Sequence, residues 1–151
     1  MSRWPLPEPM QRALKLAHQA ALAGEVPIAA VLTQQGRIVA EAHNSPRLSH
    51  DPTAHAEINV IRAAASQLRQ ERLEDCDLWV TLEPCAMCAG AIAHARIARL
   101  YYAASDPKGG AVEHGARVFD QKQCLHVPEI YAGLGEEEAA GLLRSFFAQR
   151  R

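Results

Sequence analysis

The chain has 151 residues, with 16 Lys and Arg against 17 Asp and Glu and a formal net charge of −1. This near balance excludes a protein that is basic all over, so any nucleic-acid contact must come from a local patch. The length suits one domain with a proper core, read as residues 1–151, and four cysteines offer no disulfide framework and suit a reducing compartment.

Met10, Ala13, Leu14, Ala17 and Ala21 recur at helical spacing, and Gly24 ends that stretch. Val26 to Thr33 is a buried-looking apolar run, Gln34-Gln35-Gly36 a turn, and Arg37 to Ala42 a second strand, which together predict a hairpin. Asn44 to Pro52, polar and punctuated by proline, is expected to be loop. Thr53 to Ser66 reads as a helix, with Asp51-Pro52 as N-cap and first-position proline. Leu78 to Leu82 is a short strand, the next helix opens near Pro84 and ends about His94, and Ile97 to Ala103 is another strand. Ser105 to Gln123, rich in Gly, Pro and His, is a long loop of the functional kind. A last helix begins near Gly135, with Glu136, Glu137 and Glu138 in its first turn and Arg150 and Arg151 in its last, both favourable to the helix dipole. Its packing face is Ala139, Leu142, Leu143, Phe146 and Phe147, where Phe146 reads as core and Phe147 is open between core and a base-stacking role. Trp79 reads as core and Trp4 as a terminal anchor. The alternation of strands and helices argues for an α/β fold with helices covering a mixed sheet. The first residues lack an apolar signal core and no run reaches the length of a membrane span, so a cytoplasmic protein with no membrane attachment is expected.

Chemistry is carried by His55-Ala56-Glu57 and, further on, Pro84-Cys85-Ala86-Met87-Cys88. One His and two Cys are three soft ligands for zinc, and three protein ligands with an open fourth position make a catalytic site, because structural sites close all four. Glu57, two residues from the ligand His, is then a proton carrier rather than a ligand. Cys85 and Cys88, at i and i+3, share one face of a helix beginning near Pro84. His55 and Glu57 can meet one metal only in a first turn, where side chains lean back past the N-terminus. Two helix N-termini are therefore expected to converge on the metal, their positive ends favouring thiolates.

Other uses of these residues fit less well. A redox C-x-x-C requires no partnering H-x-E, and a structural zinc needs a fourth ligand, for which Cys76, Cys124 and His94 lack paired spacing. Cys76 and Cys124 read as small buried hydrophobes, Glu83 as a carboxylate that is structural or bonds backbone, and His94, His114 and His126 as surface or satisfied polar residues. Arg96, Arg99 and Lys108 read as surface charges.

The order H-x-E then P-C-x-x-C is the known signature of zinc nucleobase deaminases. Around it stand Glu25-Val26-Pro27-Ile28, Asn44, Asp51-Pro52-Thr53-Ala54, Thr81-Leu82-Glu83, Ala89-Gly90, Arg96-Ile97, Asp106-Pro107-Lys108, and Phe146-Phe147 with Arg150-Arg151. With these blocks the chain resembles the bacterial tRNA-specific adenosine deaminase family, within the cytidine deaminase-like superfamily, from about Met10 to Arg151. The resemblance implies a three-layer α/β/α cytidine deaminase-like fold with a mixed five-stranded sheet, a homodimer, and one zinc per subunit. It implies hydrolytic conversion of adenosine to inosine at the wobble position of an arginine tRNA with an ACG anticodon, releasing ammonia. His55, Cys85 and Cys88 match the zinc ligands and Glu57 the proton shuttle. Asn44 matches a side chain bonding the inserted nucleoside, Ala56 and Pro84 help form the base pocket, and Asp106, Phe147, Arg150 and Arg151 match positions near the bound anticodon stem-loop. The stretch Gly109 to Gly115 departs from the best-known members, beside the edge where RNA is expected. Two other functions fit parts of the sequence. One is a deaminase of a free base or nucleoside, guanine foremost, against which the basic C-terminus counts; the other is a zinc-stabilised binding module, against which Glu57 counts.

Overall fold

The computed structural model describes residues 5–150, so Trp4 and Arg151 lie outside the described residues. Helix α1, Glu8–Leu22, leads into the hairpin of β1, Ala29–Gln34, and β2, Arg37–His43. There follow α2, Pro46–Ser49, α3, Ala56–Leu68, β3, Cys76–Leu82, α4, Ala86–Ala95, and β4, Arg99–Ala104. A long loop with one 3₁₀ turn at Val118–Asp120 precedes β5, Glu129–Ala132, and α5, Glu136–Ala148, closes the order. The five strands form one sheet in the order β2-β1-β3-β4-β5. β1 runs antiparallel to both β2 and β3, while β3, β4 and β5 are parallel, so the sheet is mixed.

Strand alternation divides the core into two faces. Ala30, Leu32, Leu78, Val80, Leu100 and Tyr102 point to one side, where Ala56, Val60 and Ala64 of α3 and Ala89 and Ile92 of α4 cover them. Ala29, Val31, Trp79 and Ala103 point to the other, under Met10, Ala13, Leu14 and Ala17 of α1 and Ala139 of α5. Helices thus cover both faces of the sheet in a three-layer α/β/α arrangement, as the resemblance implied. No helix is long and apolar enough to cross a membrane among the described residues.

Several boundaries differ from the sequence expectation. β1 starts at Ala29 rather than Val26, since Pro27 has no N–H to give a ladder and Ile28 N–H turns back to the Val26 carbonyl at 2.8 Å. The expected loop 44–52 contains the one-turn helix α2, with Pro46 at its start and Asp51 N–H closing onto the Pro46 carbonyl. The resemblance implied a fifth strand, but the residues did not locate β5: all four of its residues are exposed, so it shows no buried alternation to read. On α5, Phe146 is buried but Phe147 is 50% exposed and leaves the packing face. Arg150 lies beyond the last helical turn, not in it. Its guanidinium sits 3.9 Å from the centre of the Phe146 ring. Arg99 pairs with Glu129 at 2.8 Å and Asp77 at 3.6 Å across the parallel strands, while Arg96 takes the left-handed conformation that ends α4 (φ 61°).

The arrangement brings one end of the sheet into use. The carboxyl ends of β3 and β4 and the start of β1 lie together there, because β1 runs opposite to β3. Loops leaving parallel strands at their carboxyl ends are where α/β folds place their sites.

Candidate active site

His55 is the residue immediately before α3, and Cys85 the residue immediately before α4. Both have extended backbones (φ −74°, ψ 154° and φ −74°, ψ 177°), so each side chain swings back over the N-terminus of its helix. Their carbonyls accept the first helical hydrogen bonds, from Asn59 N–H at 2.9 Å and Ala89 N–H at 2.8 Å. The sequence expectation of two converging helix starts therefore holds, with a shift in register. Asp51-Pro52 does not open α3; Asp51 Oδ1 instead accepts from Thr53 N–H at 2.9 Å and Thr53 Oγ1 at 2.7 Å, forming a tight turn. Pro84 likewise precedes the cap rather than occupying the first helical position, and its carbonyl accepts Ala111 N–H at 2.9 Å.

His55 Nδ1 lies 3.6 Å from Cys85 Sγ and 3.5 Å from Cys88 Sγ, and the three donor atoms all fall within 4.8 Å of one another. Zinc bonds of about 2.0 Å to nitrogen and 2.3 Å to sulfur, at a tetrahedral angle, require an N···S separation of about 3.5 Å. The donor set thus fits such a metal in both chemistry and spacing. Cys85 is held down to a pKa of about 5, chiefly because its sulfur accepts from the Cys88 thiol, against the cost of burial. Cys88, as the donor and fully buried, is pushed up.

Glu57 stands in the first turn of α3, 4% exposed, and burial pushes its carboxyl up to about 7, with the Cys85 charge adding to the shift. A carboxyl poised there can take and release a proton near neutral pH. It faces a cavity of about 270 Å³ whose wall includes Asn44, His55, Cys85 and Asp106. Asn44 and Asp106 are thus brought to the same cavity as the cluster. Ala56 does not line it; it is 0% exposed in the core beneath α3. Pro84 is also buried and off the lining. Phe147 and Arg150, at the end of α5, are outside the lining as well.

Sequence reading missed Val26, Ile28 and Leu82, apolar wall residues that look like ordinary strand core in a single sequence. It also missed Asn59, whose Nδ2 donates to the His43 carbonyl at 3.1 Å and Ser45 Oγ at 2.9 Å and so ties the Asn44 segment to α3. Its place four residues after His55 was the available signal. Glu83 behaves as expected, accepting backbone N–H groups. Burial opposes its charge, yet those bonds and His114 hold it below the usual carboxylate range. His126, with Nε2 2.6 Å from the Ile97 carbonyl, is a satisfied polar residue. Cys76 is the buried hydrophobe expected, whereas Cys124 is only half-buried and donates to the His126 carbonyl at 3.1 Å.

Replacing an amino group on a ring by oxygen takes an activated water and a group that ferries protons between water, ring and leaving nitrogen. A His–Cys–Cys donor set able to hold a metal, beside a protonatable carboxyl at the strand ends, can supply those two needs. By fold and site the chain is a hydrolytic deaminase of the cytidine deaminase-like class.

Comparison with known proteins narrows this. A family model described as MafB19-like deaminase matches residues 7–151. The tRNA-specific adenosine deaminase of Agrobacterium fabrum (strain C58) is 56% identical over 142 residues, covering 94% of this chain and 93% of that protein. A structure from work on A-to-I editing by tRNA:A34 deaminases at the wobble position of transfer RNA superposes with a TM-score of 0.88 at 56% identity, covering 89% of this chain and 98% of that one. A guanine deaminase structure from Bacillus subtilis superposes less well, with a TM-score of 0.66 at 35% identity over 99% of this chain and 94% of that one. The chain belongs to the tRNA-specific adenosine deaminase family.

Proposed function

We propose that this chain, as one zinc-dependent domain spanning residues 1–151, converts the wobble adenosine of a tRNA anticodon to inosine and releases ammonia. The substrate in this reading is an arginine tRNA with an ACG anticodon. The observation that carries it is the Glu57 carboxyl, buried beside the His55, Cys85 and Cys88 donors and facing a cavity of about 270 Å³. His55 Nδ1 and the two sulfurs would hold one zinc ion per subunit. When bound, zinc would lower the pKa of a water to about 7 and so make a nucleophile available at neutral pH.

Glu57 takes a proton from the attacking water and delivers it to N1 of adenine, which makes C6 electrophilic. After oxygen adds at C6, Glu57, now deprotonated, takes the proton of the new C6 hydroxyl and passes it to the exocyclic nitrogen, so that the C6–N bond breaks to give ammonia and a C6 carbonyl. A carboxyl near pKa 7 is suited to both transfers, since neither its loss nor its gain of a proton is far uphill. Asn44 would hydrogen-bond the inserted nucleoside, while Ala56 and Pro84 back the pocket from the core. The cavity has room for one base and none for a stem, which favours an anticodon loop, where a base is splayed out at low cost. Asp106 at the rim and Phe147, Arg150 and Arg151 at the C-terminus would meet the RNA. The exposed Phe147 ring suits stacking; Arg150 would turn from the Phe146 ring to reach a phosphate. The reading includes a cytoplasmic location and a homodimer, for which sedimentation at micromolar concentration is the test.

A second reading, guanine deamination, is favoured by the B. subtilis guanine deaminase likeness at 35% identity, against 56% for the tRNA enzyme of A. fabrum. One assay separates them. An unmodified arginine anticodon stem-loop with ACG, and free guanine and cytidine in parallel, are incubated with enzyme; inosine is read by mass spectrometry and ammonia is counted. Inosine at the wobble position alone is the expected result. Ammonia from guanine or cytidine only would overturn the RNA substrate and leave the deaminase chemistry standing.

A further inference from the structure

Glu83 is a carboxylate whose side chain is 0% exposed, at the end of β3 and beside the metal-competent cluster in sequence. It borders the cavity between Leu82 and Cys85, but its carboxylate oxygens are taken up by the loop that follows β4. Oε1 accepts Asp106 N–H at 3.0 Å and lies 2.8 Å from His114 Nδ1. Oε2 accepts the N–H groups of Val112 at 3.1 Å, Glu113 at 3.0 Å and His114 at 3.2 Å. The loop closes around this one group so tightly that a Cβ at Gly110 would lie 2.5 Å from the carboxylate and 2.6 Å from the Asp106 carbonyl oxygen. Only glycine allows that approach.

The same loop is a wall of the cavity. Asp106 and Gly109 line it, and Asp106 Oδ1 accepts Gly109 N–H at 3.0 Å, which fixes the corner between them. Further along, the loop is pinned by Ala111 N–H on the Pro84 carbonyl and by the Tyr102 hydroxyl on Glu113. Apart from Val26, the rest of the wall lies in or directly beside β1, β2, α3, β3 and α4. The 106–114 segment is irregular, so its position depends on side-chain anchorage. A buried anion accepting from successive backbone N–H groups is a strong form of such anchorage.

We infer that Glu83 is a positioning residue for substrate binding, holding the Asp106–His114 loop so that Asp106 and Gly109 keep their place in the pocket wall, while the metal-binding residues and Glu57 do their work without it. This rests on the cavity being the base pocket proposed above. Glu83→Gln replaces one acceptor oxygen by an NH₂ group facing N–H donors, so at least one loop amide loses its partner. The wall then loosens, and binding weakens more than chemistry.

The test measures kcat, KM and zinc per chain for wild type, Glu83→Gln, the milder His114→Ala and the double variant. For Glu83→Gln, KM is expected to rise by about tenfold or more with kcat within about threefold and zinc per chain unchanged. His114→Ala, which keeps every backbone donor, raises KM by about two- to fivefold, and the two changes combine less than additively. It also carries the test if Glu83→Gln does not fold. Hydrogen exchange reads the wall whatever the substrate: the amides of Asp106, Val112, Glu113 and His114 are protected in wild type and exchange faster in both variants. If only free guanine is deaminated, the RNA reading fails and the same KM comparison is run with guanine. The inference is overturned if kcat falls at unchanged KM, if zinc is lost, or if those amides exchange as in wild type.

Discussion

Helix α4 meets a cavity at either end: one of about 270 Å³ beside Cys85 and one of about 330 Å³ beside Ala93, His94 and Arg96. The larger is also lined by Gln121, Gln123 and Cys124, but no set of three metal-competent groups gathers there among the described residues. At the smaller, two helix starts present His55, Cys85 and Cys88, and Glu57 lies buried against them. Volume alone therefore does not single out the proposed catalytic end; the polarity of the helix and the donor set there favour it. Positive N-termini favour thiolates, whereas the C-terminal end presents carbonyls that favour cations such as Arg96. A perturbed carboxyl in a cleft completes the contrast.

The largest expected effect strikes the N-terminal end. Cys88→Ala removes a fully buried donor of the proposed zinc site and should lose zinc, turnover and thermal stability together, measured by metal analysis, inosine formation and a melting curve. A chelator applied to wild type should reproduce the loss of turnover. Retained zinc with normal turnover in Cys88→Ala would dissolve the contrast between the ends.

Ile92, 0% exposed between them, probes packing alone. Ile92→Ala should cost about 2–5 kcal/mol in denaturant unfolding while zinc per folded chain stays at the wild-type level. Next comes the left-handed residue at the C-terminal end. Arg96→Gly relieves a conformation that costs a side chain about 1–2 kcal/mol, offset by about 0.5–1 kcal/mol of glycine entropy, so stability should rise by about 0–1.5 kcal/mol at unchanged turnover. The smallest effect is His94→Ala in the larger cavity, where kcat/KM should stay within about twofold, as for an ordinary surface change. A hundredfold loss there would assign chemistry to the wrong end of the helix in this account.

What could be read in advance follows from how far apart the cause and the effect lie along the chain. The hairpin announced itself through Gln34-Gln35-Gly36 between apolar runs, and α1 and α4 through local periodicity and punctuation. The cluster was legible because ligand chemistry forces residue types at short spacing: Cys85 and Cys88 must share a turn, and His55 and Glu57 a helix start. Capping was misread by a few residues, because Asp51 and Pro84 have the right identities for helix starts, but Asp51 is used in the turn before α3 and Pro84 in the link between β3 and α4, where its carbonyl accepts Ala111 N–H. Strand β5 depends on pairing with β4, a non-local cause with no trace in four exposed residues. The pocket wall was illegible for the same reason. Glu83 could be judged structural from its neighbours, but the amides it gathers come from more than twenty residues downstream, Asp106 to His114.

In the proposed reaction the protons move at the N-terminal end of α4, through Glu57. The most direct test is the turnover of Glu57→Gln on the arginine anticodon stem-loop, at zinc content matched to wild type. The account predicts unchanged zinc per chain and a fall in kcat of about 10²–10⁴-fold, the range general acid–base catalysis supplies. Glu57→Gln that carries zinc and forms inosine at the wild-type rate would contradict it.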